Sequence, residues 1–141
     1  MSTSEISFSF QDNTSSSFPL SQKDVRQWLL KLSLDFQKPI AQLDYVFCTD
    51  AFLLEMNRHH LNHDDYTDII TFPYSYSPIT SEIYISCERA LENSKTFDVA
   101  YSDELLRLIA HGFLHMCGFK DHTDDEKHIM RQKENYCLSI F

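Results

Sequence analysis

Apolar and polar positions follow two different rhythms along this chain. Ile6, Phe8 and Phe10 alternate with serines, and this period of two predicts a first strand. The polar run from Gln11 to Ser17 reads as a loop, with Pro19 marking its end. From Ser21 the rhythm changes. Val25, Trp28, Leu29, Leu32 and Phe36 recur at helical spacing on one face, and Pro39 closes that element. Leu43, Tyr45 and Phe47 predict a second strand, and Ala51 to His60 a short helix. IITFPY predicts a third strand stopped at Pro73, and Glu82 to Ser86 (EIYIS) a fourth.

The remaining third reads as helical over 88–95, 103–117 and 124–137. Ser102 is the expected cap of the second of these helices, with Asp103 and Glu104 favouring its positive end. Thr123 and Glu126 form a capping-box pattern for the last. There are no internal repeats and no linker. The expectation is one α+β domain over 1–141, a small mixed sheet of about four strands packed with about five helices.

Composition narrows the function classes. The 141 residues can bury a real core, and their net charge of −9 is spread over both halves. That balance argues against a broad nucleic-acid face, because phosphate contacts need local Lys and Arg; a nucleic acid could be bound only through a local groove or a metal. MSTSEISFSF has no cationic segment followed by an apolar run, and no stretch approaches a membrane span. Cys48, Cys87, Cys117 and Cys137 are scattered without a CxxC pair, as expected of reduced thiols in a cytoplasmic protein with no membrane partner.

Chemistry concentrates in HGFLHMCGFKDH, residues 111 to 122, which holds both glycines of the chain, Gly112 and Gly118. His111 and His115 are four apart, hence neighbours on one helix face. Leu105, Ile109, Gly112 and Met116 form the buried stripe, and the histidines sit at its edge, where the core can hold a ligand that faces a cleft. Gly118 tolerates positive φ and suits a helix end, after which the chain can double back and bring Asp121 or His122 to the same point. Two nitrogens and one more ligand leave a fourth zinc position for water, the arrangement of a catalytic site on a zinc-hydrolase-like histidine helix. Gly112 costs a helix roughly 1 kcal/mol relative to alanine. Its expected reason is that another backbone or a substrate approaches the metal closely there. Cys117, on another face, reads as a small core residue.

These residues resemble the YbeY-type endoribonucleases, also called rRNA maturation factors, whose signature is HGxLHxxGxxH. TDIITFP (67–73) is similar to that family's TDVLSFP strand, EIYIS to its GDIxIS strand, and EKHIMRQKE to its final helix. The likeness covers most of the chain from about residue 40. It implies a hydrolase with one zinc per chain that cuts single-stranded RNA, with His111 and His115 at the catalytic metal. It also implies work in late 16S ribosomal RNA processing and ribosome quality control, alongside ribosomal subunits or assembly factors.

The chain departs from the family in three places. The third histidine of the signature falls on Asp121, with His122 one place later; Asp121 is the favoured third ligand, since carboxylate oxygen suits zinc. A functional arginine of the family falls on Leu61, where His63 could replace part of the lost charge. Ser81-Glu82 stands for Gly-Asp.

The zinc peptidases of HExxH type carry their general base where this chain has Gly112, which argues against peptide hydrolysis by that route. No single carboxylate identifies itself as the base. Two other classes stay open: a metalloprotease-like hydrolase with another base, and a non-catalytic zinc-containing binding protein of ribosome assembly. Arg89, Lys95 and Arg107 are the expected RNA-facing cations.

Overall fold

The computed structural model describes residues 4–11, 14, 18–61 and 67–141. In chain order the elements are β1 (Glu5–Phe10), α1 (Gln22–Asp35), β2 (Ile40–Cys48), α2 (Asp50–Leu61), β3 (Ile69–Tyr76), β4 (Ile79–Ser86), α3 (Cys87–Phe97), α4 (Tyr101–Met116) and α5 (Asp124–Ser139). Four strands form one mixed sheet in the order β1-β2-β4-β3, with β1, β2 and β4 parallel and β3 antiparallel to β4. The α+β expectation holds.

Strand alternation sorts side chains onto the two faces of the sheet. Leu43, Tyr45, Phe47, Ile83 and Ile85 point into a large core with α1, α3, α4 and α5. Cys48 and Ile70 point the other way, into a smaller cluster with Leu53 of α2. α4 lies in the middle of the larger layer, against α3, α5, β3 and β4. Its sequence explains the place. Leu105, Leu106, Leu108, Ile109, Ala110, Phe113, Leu114 and Met116 are all buried, a wider apolar face than a helix with one solvent side carries. The buried Tyr45 hydroxyl donates to the carbonyl of Ile109 at 2.8 Å and pins the helix to β2.

β2 and β4 begin three residues before their expected starts, at Ile40 and Ile79, and two further boundaries differ for a physical reason. β3 runs past Pro73 to Tyr76, with a register shift between Pro73 and Ser75. Proline is tolerated because β3 is an edge strand, so its missing N–H faces no partner. α4 begins at Tyr101 behind Ala100, which makes no side-chain cap, so Ser102 lies inside the first turn and caps nothing. The capping box at Thr123 and Glu126 is present on α5, and Ser21 caps α1. Among the described residues no helix is long and apolar enough to cross a membrane.

Candidate metal centre

α4 is seated by what Gly112 lacks. A Cβ built there would lie 2.7 Å from Cδ1 and 3.0 Å from Cγ2 of Ile83, and 3.4 Å from Cδ1 of Ile69. The glycine therefore lets helix and sheet close together. The expected approach of a backbone or substrate to the metal is not its reason, because its neighbours are strand side chains in the core. With position 112 turned to the sheet, His111 and His115 come out together on the flank of the helix.

The helix then ends in a Schellman motif. The N–H of Gly118 bonds the carbonyl of His115 at 3.0 Å, and that of Phe119 bonds the carbonyl of Leu114 at 3.1 Å. Gly118 sits at φ 102°, as the positive-φ reading required. The turn folds back over the helix end, and the next side chain to reach the histidines is that of Asp121. Nε2 of His111 and Nε2 of His115 are 3.0 Å apart. Oδ2 of Asp121 lies 3.3 Å from the first and 3.6 Å from the second. The group His111, His115, Asp121 is the cluster of potential metal ligands found among the described residues.

The outward ring nitrogens fix the inward ones. Nδ1 of His115 faces the carbonyl oxygen of Phe119 at 3.0 Å, an acceptor only, so this nitrogen must donate. Nδ1 of His111 faces Oε2 of Glu134 at 2.7 Å, and Glu134 is itself held at 3.0 Å by Arg107. Burial lowers the affinity of His111 for a proton, but the hydrogen bond and charge of Glu134 outweigh it and the pKa is raised. Burial, then the neighbouring His111, lower that of His115. Glu134 is 5% exposed; burial would raise its pKa, but hydrogen bonds from His111 and Arg107 bring it below the ordinary value.

Committing both Nδ1 atoms to donation leaves two Nε2 lone pairs and a carboxylate oxygen facing one another. Such a group requires a proton or a cation between its members. A proton can bridge the two imidazoles at 3.0 Å, whereas the three-way separations of 3.0, 3.3 and 3.6 Å suit a cation shared by all three groups. Tetrahedral bonds of about 2.0–2.1 Å put neighbouring ligand atoms roughly 3.3 Å apart. The donor set of two imidazoles and one carboxylate fits zinc, and all three residues line the cleft.

That cleft has a volume of about 1130 Å³ and runs between β3 and α4, beyond the usual ~300–1,000 Å³ of small-ligand sites. Glu104 and Asp68 lie along it beside Arg107 and Arg131. Glu104 is 3% exposed and its pKa is raised by burial, against the pull of Arg107 and Asn93. It stands seven residues before His111, roughly 10 Å along the axis, so it does not reach the trio directly.

The other expected site residues lie elsewhere. His122 borders the cleft but adds no atom to the cluster. Its backbone N–H bonds Oε1 of Glu126 at 3.1 Å, so it already belongs to the cap of α5 and its side chain is exposed. His63 lies outside the described residues, and Leu61 closes α2. Arg89 pairs with Asp50 at 2.6 Å and, like Lys95, does not line the cleft; Arg107 does. Cys117 packs half-buried against the core, its thiol pushed up to about 12 by burial.

Glu134 was missed by sequence reasoning, although a signal existed. It shares the buried stripe of α5 with Met130 and Cys137, and a glutamate on such a stripe needs a partner.

The family model described as Endoribonuclease YbeY matches residues 6–141. The chain is 40% identical to Endoribonuclease YbeY of Flavobacterium psychrophilum, over 97% of this chain and 92% of that one. It is 42% identical to Endoribonuclease YbeY of Cytophaga hutchinsonii, over 96% of each. The solution structure of TM1509 from Thermotoga maritima shares the fold, with a TM-score of 0.68 at 21% identity over 94% of this chain and 86% of that one.

Proposed function

The chain belongs to the Endoribonuclease YbeY family, and from that membership we infer an endoribonuclease that cuts RNA with one zinc ion held by His111, His115 and Asp121. The substrate we propose is single-stranded ribosomal RNA, cut in the cytoplasm during late 16S processing and ribosome quality control, in company with ribosomal subunits or assembly factors. One observation carries the metal assignment: three acceptor atoms converge at 3.0–3.6 Å while both outward ring nitrogens are occupied.

A zinc ion held there supplies Lewis acidity toward a phosphodiester oxygen and an acidified water. It also supplies the positive charge that an acidic protein lacks. The residues of the chain do the positioning. Glu134 keeps the proton of His111 on Nδ1 and its lone pair on Nε2, and Arg107 keeps Glu134 in place. The carbonyl of Phe119 does the same for His115. As a ligand Asp121 would add a negative charge that three neutral histidines would not, and so would make a zinc-held water less acidic.

The peptidase alternative meets a steric obstacle. Position 112, where the HExxH base would stand, is turned to the sheet: a Cβ there would lie 2.7 Å from Cδ1 of Ile83, and Gly112 is not among the residues that line the cleft. A direct test compares purified protein on single-stranded RNA and on casein, with and without a chelator. Expected is RNA cleavage lost on chelation and restored by zinc, with casein untouched. Chelator-insensitive cleavage, or casein cleavage alone, would overturn the reading.

A further inference from the structure

The cleft has ends as well as a middle, and both ends carry an exposed aromatic ring. Phe97, the last residue of α3, and Tyr76, the last of β3, each line the cleft and are each 55% exposed. Their places follow from the fold. Nδ2 of Asn93 on α3 donates to Asp68 at 3.0 Å, so the beginning of β3 lies beside α3 and the start of α4. Ile69 reaches Gly112 in the C-terminal third of α4. The far end of the hairpin joins Pro39 through the N–H of Ile79, and Phe36 nearby packs on both Phe113 and Phe119. Phe97 therefore marks the start of α4 and Tyr76 its end. The sixteen residues of α4 separate them by roughly 24 Å. The metal trio lies nearer the Tyr76 end, since His111 and His115 are on the last two turns of α4 and Asp121 follows them.

The charges of the cleft limit how it can hold a polyanion. Asp68, Glu104, Asp121 and Glu134 line it. Of the cations, Arg107 is bound to Glu134 and Asn135, and Arg131 stands 3.8 Å from Glu134. Among the described residues of the lining, Lys120 is the remaining cation. Phosphate contacts alone are too few for tight binding at physiological salt. Stacking is the attraction that an acidic wall leaves intact, since every base has a π-face and a stacked base on an aromatic ring is worth about a 5- to 150-fold change in affinity.

We propose that the cleft takes unpaired RNA, with bases stacked on Tyr76 at one end and Phe97 at the other, across the His111–His115–Asp121 trio. This rests on the ribonuclease reading above and adds the way the strand is recognised. A paired base hides its faces against its neighbours, so two stacking ends select single strands without reading sequence. The two rings are binding residues, and neither belongs to the His111–His115–Asp121 cluster.

Trp28 is the sole tryptophan of the chain and is 2% exposed, which leaves room for a reporter. Tyr76→Trp and Phe97→Trp are titrated with a 2′-O-methyl oligonucleotide, which resists cleavage, as a single strand and as a duplex. Saturable quenching by the single strand at both positions, with little by the duplex, is expected. Wild type, Tyr76→Ala and Phe97→Ala are then compared on a cleavable single strand. Each alanine should raise KM about ten-fold or more, while Tyr76→Phe and Phe97→Tyr return it to the wild-type value. The log-log salt slope of binding should be near about −1, as for one or two phosphate contacts. Quenching at one position or neither, equal quenching by duplex, or unchanged KM in both alanine variants would overturn the proposal. Quenching at both positions in the tryptophan variants, with a wild-type chain that cuts no RNA, would leave the track standing and sink the ribonuclease reading instead.

Discussion

Two of the three converging ligand atoms are delivered by a helix and the third by a turn, and the two deliveries obey different rules. On α4 the four-residue spacing of His111 and His115 dictates their adjacency, and Gly112 fixes which way the pair faces by letting the opposite flank close on Ile83. Beyond Gly118 no period applies. The place of Asp121 depends on a left-handed residue, two Schellman hydrogen bonds and the cap of the next helix. The helix gives robustness, since sixteen residues in a packed core hold it. The turn gives adjustability. A signature position can there exchange a histidine for a shorter carboxylate and still reach within 3.3 Å of His111.

The sharpest way to probe the helical half is to remove its donors. His111→Ala or His115→Ala should reduce zinc from one per chain to near none and abolish RNA cleavage, while far-UV circular dichroism stays that of the wild type. Retained zinc in both variants would show that the ion is held elsewhere.

Next in size is the support behind the helix. Glu134→Ala should weaken zinc affinity by about 10- to 100-fold in a chelator competition. Glu134→Gln, which keeps a hydrogen-bonding group near Nδ1 but no charge, should lose less. Equal affinity in all three proteins would reduce the glutamate to a packing residue.

The two glycines separate helix from turn directly. At Gly118 any L-residue must adopt φ near 102°, which costs roughly 1–2 kcal/mol. Gly118→Ala should therefore lower stability by that amount and loosen zinc as well, because Asp121 hangs from the turn. Gly112→Ala sets a gain of about 1 kcal/mol in helix propensity against overpacking on Ile83 of about 1–3 kcal/mol. A net loss of about 0–2 kcal/mol with zinc retained is expected from urea unfolding. If Gly112→Ala lost zinc and Gly118→Ala kept it, the division of labour would be the reverse of the one drawn here.

The smallest effect is on pH. In the metal-free protein the proton affinity of His111 is raised, because Glu134 outweighs burial, and that of His115 is lowered. Where His111 is protonated zinc must displace that proton, whereas the lowered affinity of His115 leaves it none to displace over the same range. Below the raised pKa of His111, which lies above the ordinary ~6.5, affinity should fall about ten-fold per pH unit, one proton per zinc. A slope of two protons just below the His111 transition would contradict that assignment.

Much of this site was legible in the sequence because it lies on a periodic element. The i,i+4 spacing placed His111 and His115, the apolar stripe of α4 placed Gly112 in the core, and the capping box placed the start of α5. What escaped depended on tertiary partners. Pro73 does not stop β3 because the strand is an edge, a fact of strand order rather than of local preference. Ser102 fails to cap because α4 starts at Tyr101. Gly112 answers to Ile83, far away in sequence, so its purpose could be guessed only as closeness to something. Glu134 lies twenty-three residues beyond His111, on another helix, and only its place on an apolar stripe hinted at a buried role.

The choice between Asp121 and His122 tests the helix-and-turn account most directly. Adjacent residues in extended chain point to opposite sides, and here Asp121 faces the histidines while the backbone of His122 caps α5. Zinc content after dialysis, measured by elemental analysis on Asp121→Ala and His122→Ala, decides the matter. The account predicts near-complete loss in the first and about one zinc per chain in the second. Retention in Asp121→Ala with loss in His122→Ala would contradict it.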